Sequence, residues 1–273
     1  MKEHLTMLTD MIMLESVKLI AIQAGEEILR FHRTQKAWLR EKPDGSPVTE
    51  ADMASESLIS AKLLPLDSRI NYLSEESKQP PYAERKHWKR FWLVDPLDGT
   101  KEYVRGTNEF TVNIALIEEG EPTLGVVVAP ALSVLYCAVK GYGAWKQPYG
   151  QSAKRLVSRL SDPSQPIRIV ESRSHPSPEL ELFLSTYNVK ARLKVGSSLK
   201  FCLLAEGSVD VYPRLAPTME WDVGAGDCIY RYSAQNKSHP SSLTYNKPSL
   251  RNDSFVLGLQ PGKSSTLVSG EVP

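Results

Sequence analysis

The sequence predicts an α+β or layered α/β fold, and three observations lead there. An apolar face with helical spacing opens the chain, short β-type runs follow with one apparent hairpin, and helix and strand patterns then mix through the second half. From Leu14 the apolar positions fall at Val17, Ala21, Ala24, Ile28 and Phe31, in steps of three and four, which is one face of an amphipathic helix. Lys42-Pro43-Asp44-Gly45-Ser46-Pro47 then breaks the pattern as a loop. Thr49 reads as an N-cap, with Asp52 three positions on completing a box before Leu58 and Leu63.

Strand-like runs come next. Arg69 to Ser74 is one, and Phe91-Trp92-Leu93-Val94 is another that ends on Asp95. Thr111 to Glu118 and Gly125 to Val128 are joined through Glu119-Gly120-Glu121-Pro122 as a hairpin, Val134 to Val139 continues the pattern, and Gly141-Tyr142-Gly143 closes it. The polar, punctuated stretch from Gln147 to Pro166 is the expected boundary between an N-terminal half (1–150) and a C-terminal half (151–273) of one compact unit. In the second half Ile167 to Val170 reads as a strand, Ser197 or Ser198 as the cap of a helix through Phe201, Leu204 and Ala205, and Val209 to Tyr212 as a strand. Trp221 to Tyr230 reads as a helix, Ser254 to Leu257 as a last strand stopped by Gly258, and the polar tail beyond Gln260 as frayed.

Composition bounds the function. With 41% hydrophobic and 24% charged residues over 273 positions, the chain has material for a large core and reads as a soluble globular protein. Lysine and arginine number 33 against 32 acids, which argues against a nucleic-acid polymer as partner. Cys137, Cys202 and Cys228 are dispersed and odd in number, so neither a disulfide framework nor a zinc site is expected, in keeping with a reducing cytoplasm. Acids interrupt the Met11-Ile12-Met13-Leu14 run, so no signal peptide is read there, and no apolar stretch reaches 18 residues. Nothing requires a membrane, although peripheral attachment at its cytoplasmic face is compatible with the chain; the oligomeric state is left open.

The chemistry concentrates in Asp95-Pro96-Leu97-Asp98-Gly99-Thr100. A strand delivers Asp95 to its end, Pro96 stiffens the turn, and Gly99 allows a backbone other residues resist. Two carboxylates three residues apart, with the Leu97 carbonyl between them, form a hard oxygen set of the kind Mg²⁺ takes. On its own the segment reads equally as an ordinary turn. Glu75 follows a second short strand, Asp222 stands beside Trp221 at a helix start, and Asp52 sits in its capping box; each also has a plain structural reading as a surface or helix-end acid.

Taken with further segments, the chain resembles the inositol monophosphatase-like, lithium-sensitive phosphatases and, within them, the CysQ-type 3'(2'),5'-bisphosphate nucleotidase branch. The segments are SPVTEAD (46–52), LSEES (73–77), WLVDPLDGTKEY (92–103), EFTVNIALI (109–117), GSSLKFCLLAEG (196–207), VYPR (211–214) and Trp221-Asp222. The resemblance implies the αβαβα sandwich of that family and a Mg²⁺-dependent phosphomonoesterase acting on a small bisphosphorylated nucleotide, with recycling of adenosine 3',5'-bisphosphate to AMP in sulfur assimilation as its setting. It implies two Mg²⁺ ions, with a third left open. Glu75, Asp95 and the Leu97 carbonyl would hold one, and Asp95, Asp98 and Asp222 the other. Thr100, backed by Asp52, would orient and help deprotonate the attacking water, with Gly99 and Thr100 offering N–H groups to phosphate. Ser197, Lys200 and Arg214 would lie near the adenosine and its 5'-phosphate, His175 near the base or ribose, and Lys101 near a phosphate. The chain departs from the family at Gly224, where alanine is usual and where a helical glycine costs about 0.5–1 kcal/mol. Rival readings are an inositol monophosphatase, disfavoured by Lys101-Glu102-Tyr103; a haloacid-dehalogenase phosphatase, whose aspartates are two apart; and a non-catalytic nucleotide sensor, which has no need of five placed carboxylates.

Overall fold

The structure, a computed structural model, describes residues 2–34, 40–41, 47–174, 178–234 and 239–260. A long helix α1 (Lys2–Thr34) opens it, followed by the paired strands β1 (Arg40–Glu41) and β2 (Pro47–Val48) and by helix α2 (Glu50–Leu63). The central sheet then forms from β3 (Asn71–Ser74), β4 (Arg90–Asp98), β5 (Thr111–Glu118), β6 (Glu121–Ala129), β7 (Val134–Val139), β8 (Gly143–Pro148) and β9 (Lys154–Arg155), in that spatial order. Short helices α3 (Tyr82–Arg85) and α4 (Thr100–Val104) flank β4. Only β3 and β4 are parallel; the remaining neighbours are antiparallel.

The sheet is covered on both faces, which explains why its strands read as near-continuous apolar runs. Trp92, Val94, Val112, Ile114, Val126, Val128 and Cys137 point into the core shared with α1 and α2. Their neighbours Phe91, Leu93, Ala115, Ile117, Val127 and Tyr136 point into the opposite core. The predicted face of α1 is borne out: Leu14, Val17, Ala21, Ala24 and Ile28 are all buried against the sheet.

The second half adds three more layers' worth of chain. It runs through β10 (Ile167–Ser172), α5 (Pro178–Leu184), β11 (Val189–Val195), α6 (Leu199–Ala205), β12 (Tyr212–Arg214), β13 (Thr218–Met219), α7 (Glu220–Tyr232), β14 (Arg251–Asn252) and β15 (Phe255–Leu257). Helices α6 and α7 pack on the inner face of the central sheet. The parallel pair β10–β11 meets the β12–β15 pair through a bridge from Ile169 to Val211, and α5 covers the far side with Leu180 and Leu184. The order helix, sheet, helix, sheet, helix is the expected sandwich. All three cysteines are buried, Cys137 in the outer core and Cys202 and Cys228 in the inner one.

Several expectations need correcting. The hairpin turn is the two residues Glu119 and Gly120, both at positive φ (48° and 80°), so β6 begins at Glu121 and absorbs Pro122. Such a pair matches the twist of the strands it joins. The stretch from Gln147 to Pro166 contains the edge strand β9 and the polar end of its neighbour β8; α5 and β11 lie outside the elements the sequence predicts. Gly224 packs against the sheet: a Cβ there would lie 2.8 Å from Leu93 Cδ2, the movable end of a side chain. Most of the loop at Lys42–Pro47 and the tail beyond Gln260 lie outside the described residues. Among the described residues no helix is long and apolar enough to cross a membrane.

Candidate metal and phosphate site

Strand β4 carries the acidic turn at its end. Asp95 is 1% exposed, and its Oδ1 accepts from the Leu97 N–H at 3.1 Å, folding the turn back on its first residue. Ser55 on α2 anchors the same turn by donating to the Pro96 carbonyl at 2.8 Å. The register with β5 breaks between Asp95 and Asp98, so the two carboxylates leave strict strand alternation. Gly99 then adopts φ 89° and starts α4; a side chain there would also come within 3.0 Å of the Glu109 carbonyl oxygen.

Two other elements bring acids to this turn. Glu75 follows β3, with its N–H on the Val94 carbonyl at 3.2 Å. Its neighbours are held by Glu56 of α2, whose carboxylate accepts from Tyr72 at 2.9 Å, from Ser74 at 2.7 Å and from Ser77. Asp222 lies in the first turn of α7 and accepts from the Met219 N–H at 2.8 Å. It therefore caps its helix, as its plain structural reading has it, and faces the other acids as well. Carboxylate oxygens of Glu75, Asp95 and Asp222 lie within 4.8 Å of one another. Burial pushes the Asp95 carboxyl well above its ordinary range, and Glu75, Asp98 and Asp222 push the same way. Burial, then Asp98 and Glu75, raise Asp222 to about 8. An all-oxygen set whose negative charges repel one another at this range fits a hard divalent cation such as Mg²⁺.

Asp98 is held differently. Its Oδ2 accepts from Asn113 Nδ2 at 3.2 Å and from Ser198 Oγ at 3.0 Å. Ser198 occupies the cap position of α6, but its hydroxyl makes no capping bond; it also contacts the Asp222 carbonyl at 2.7 Å. The expected cap is thus diverted to the acidic cluster. Thr100 Oγ1 reaches Asp52 Oδ1 at 3.2 Å and the Leu97 carbonyl at 3.3 Å. Asp52 completes the predicted capping box, accepting from the Thr49 N–H at 2.8 Å and from its hydroxyl at 2.5 Å. Burial outweighs those bonds and raises Asp52 to about 6.

A cavity of about 620 Å³ gathers these groups. Glu75, Asp95, Leu97, Asp98, Gly99, Thr100, Lys101 and Asp222 line it together with Ser197, Lys200 and Arg214, while Asp52 stands behind Thr100. Two of the cations are buried: Lys200 is 5% and Arg214 8% exposed. Lys200 Nζ donates to the carbonyls of Ser197 at 2.5 Å and Val195 at 3.3 Å, and burial pulls its pKa down to about 8. Ser197 Oγ and Arg214 Nε are buried without a protein partner. His175 lies outside the described residues. Sequence reasoning missed Ser55, Glu56, Asn113 and Ser198 as supports of the acids; the only signal was a polar Asn113 inside an otherwise apolar strand.

Comparison with known proteins places the chain in a family. The model of the inositol monophosphatase family matches residues 11–232. The 3'(2'),5'-bisphosphate nucleotidase CysQ of Salmonella typhimurium is 46% identical over 218 residues, covering 80% of this chain and 86% of that one. Its counterpart in Haemophilus influenzae is 36% identical over 249 residues, covering 90% and 92%. Among solved structures, CysQ from Bacteroides thetaiotaomicron superposes with a TM-score of 0.74 at 36% identity, over 90% of this chain and 96% of that one. An inositol monophosphatase from Anabaena shares the fold, with a TM-score of 0.64 at 23% identity over 81% of each chain. The chain belongs to the inositol monophosphatase family.

Proposed function

We propose that this protein is a Mg²⁺-dependent 3'(2'),5'-bisphosphate nucleotidase that removes the 3'-phosphate of adenosine 3',5'-bisphosphate, giving AMP and phosphate. One observation carries the reading: the carboxylates of Glu75, Asp95 and Asp222 share a cavity with the buried cations Lys200 and Arg214. An acidic cluster alone would serve any phosphomonoester. A lysine and an arginine in the same cavity supply charge-assisted bonds for a second phosphate. The similarity to CysQ nucleotidases supports the same substrate class. The dispersed cysteines favour a cytoplasmic setting.

The chain's own residues divide the work. Glu75, Asp95 and the Leu97 carbonyl would form one cation-binding set, and Asp95, Asp98 and Asp222 a second. Mg²⁺ bound there would supply Lewis acidity for the attacking water and charge neutralisation for the leaving oxygen. Thr100 donates to Asp52, which turns the Thr100 lone pairs toward a water proton. Asp52, with its pKa near 6, is ionised at neutral pH and suited to take the Thr100 hydroxyl proton as Thr100 takes one from water. Backbone N–H groups at Gly99 and Thr100, with Lys101, hold the reacting phosphate. Ser197, Lys200 and Arg214 hold the nucleoside and its 5'-phosphate.

Released phosphate tests this. With Mg²⁺, adenosine 3',5'-bisphosphate is expected to be hydrolysed in preference to inositol 1-phosphate, with AMP as product and with inhibition by lithium or calcium. Faster turnover of the inositol ester would reassign the substrate, and no turnover of either would favour a nucleotide sensor.

A further inference from the structure

The turn that joins β11 to α6 is strained and well braced, and the brace comes from outside the cluster of acids. Ser197 sits at φ 49°, a left-handed conformation that a residue with a side chain rarely adopts. Such a backbone persists where its surroundings over-determine it. Lys200 holds the Ser197 carbonyl from one side, and Glu109 holds the residue before it from the other. Glu109 Oε2 accepts from the Gly196 N–H at 2.8 Å and from Arg173 Nε at 2.6 Å, and its Oε1 accepts from Arg173 Nη2 at 2.7 Å. The same Nη2 donates to the Lys194 carbonyl at 2.6 Å, so the pair grips the turn on two sides.

The backbone of Glu109 does a second job. A Cβ placed on Gly99 would lie 3.0 Å from the Glu109 carbonyl oxygen, and one placed on Gly196 would lie 2.8 Å from the same atom. One carbonyl is therefore wedged between the glycine that starts α4 and the glycine that precedes Ser197. The first glycine begins the helix end assigned above to the reacting phosphate. The second precedes Ser197, which lines the cavity with an unpartnered hydroxyl and whose carbonyl accepts from Lys200.

We infer that Glu109 is a positioning residue which fixes the spacing between the reacting phosphate and the second phosphate, and so sets discrimination between bisphosphorylated and monophosphorylated nucleotides. The inference rests on the nucleotidase reading above. Glu109 does not line the cavity that holds the acids, so it acts through Gly196 and Ser197.

The experiment compares adenosine 3',5'-bisphosphate with adenosine 3'-monophosphate, which lacks the second phosphate, on the full chain with Mg²⁺. Glu109→Ala is expected to lower kcat/KM for the bisphosphate about tenfold or more, through KM, the loss of one charge-assisted anchor. Turnover of the monophosphate should fall clearly less than that of the bisphosphate, since it shares the nucleoside contacts at Ser197 but has no second phosphate to misplace. Glu109→Gln, whose amide oxygen can still accept from Gly196, should fall between the two. Arg173→Gln, at a solvent-exposed position, should shift the same ratio and carries the test together with Glu109→Gln if the alanine variant does not fold. Equal losses on both esters would mark a merely structural role and overturn the inference, as would an unchanged ratio. If the unmodified protein shows no preference for the bisphosphate, the nucleotidase reading falls and takes this inference with it.

Discussion

Thr100 Oγ1 donates to Asp52 Oδ1 across 3.2 Å, joining residues 48 positions apart in the chain. Asp52 is buried, with burial raising its carboxyl to about 6, and it is anchored by Thr49 on its other oxygen. The contact ties the start of α2 to the start of α4 and gives the threonine a fixed direction for its proton.

A pH profile follows from that pair. A carboxylate acting as base must be ionised, so kcat/KM should fall as pH drops through about 6, the folded-state value of Asp52. Asp52→Asn should lower kcat by about 10²–10⁴-fold while Mg²⁺ binding persists. An acid limb that survives in this variant would assign the titration to another group.

The acidic cluster should make stability depend on metal. Asp95 and Asp222 have folded-state pKa values above their unfolded ones. Their contribution is therefore fully present at low pH and lost as pH rises, for Asp222 between about 4 and about 8. Metal-free protein should accordingly melt higher at pH 5 than at pH 8. Mg²⁺ at 100 times its Kd should restore about 2.7 kcal/mol at neutral pH. Asp222→Asn should melt higher than the unmodified protein without metal, yet lose activity. A melting temperature indifferent to Mg²⁺ would remove the cation-site assignment.

Lys200 predicts the alkaline limb. Burial lowers its pKa to about 8, so the free protein loses this cation as pH rises through that value. For a bisphosphorylated substrate kcat/KM should decline there. Lys200→Met should abolish that limb and reduce kcat/KM by about 10–100-fold, the worth of one charged hydrogen bond. An alkaline limb identical in the variant would place the second phosphate elsewhere.

Glu220 tests the support of the Trp-Asp motif. Its carboxylate is fully buried and accepts from the N–H groups of Asn246 at 2.6 Å and Lys247 at 2.8 Å, with Lys247 Nζ at 2.9 Å. Asn246 in turn exchanges bonds with Arg85 of α3, 2.9 Å to its guanidinium and 2.6 Å to its carbonyl. Glu220→Ala strands these donors and should cost about 3 kcal/mol by denaturant titration. Glu220→Gln, whose single oxygen can still accept from Lys247 while its amide nitrogen faces the Asn246 N–H, should cost less than alanine; equal losses would contradict this account of the strap.

Much of this was legible before any coordinates. Periodicity located α1 and the inner strands because both faces of the central sheet are covered, and the Thr49–Asp52 box is local chemistry that needs no tertiary context. Edge elements and polar strand ends were not legible in the same way. Strand β11 reads as a charged stretch because residues from Lys190 to Lys194 are exposed, and β8 fades into polar residues from Lys146 onward. The candidate metal acids could be named from their motif, but their supports could not. Asn113 meets Ser198 from 85 positions away, and Glu56 reaches Ser77 from 21. Such bonds leave no period or spacing in the chain; they exist only once the layers are stacked.

The buried cysteines have a consequence for how the layers come apart. Burial raises the Cys137 thiol to about 12 and pushes Cys202 and Cys228 well above their ordinary value, so none is a nucleophile in the native protein. Thiol-specific labelling then becomes a clock for opening. Cys137 reports on the core under α1, whereas Cys202 and Cys228 report on the core under α6 and α7. Three sites modified at one common rate would mean that the sandwich opens as a single cooperative block. Two rates would mean that one leaf peels away first.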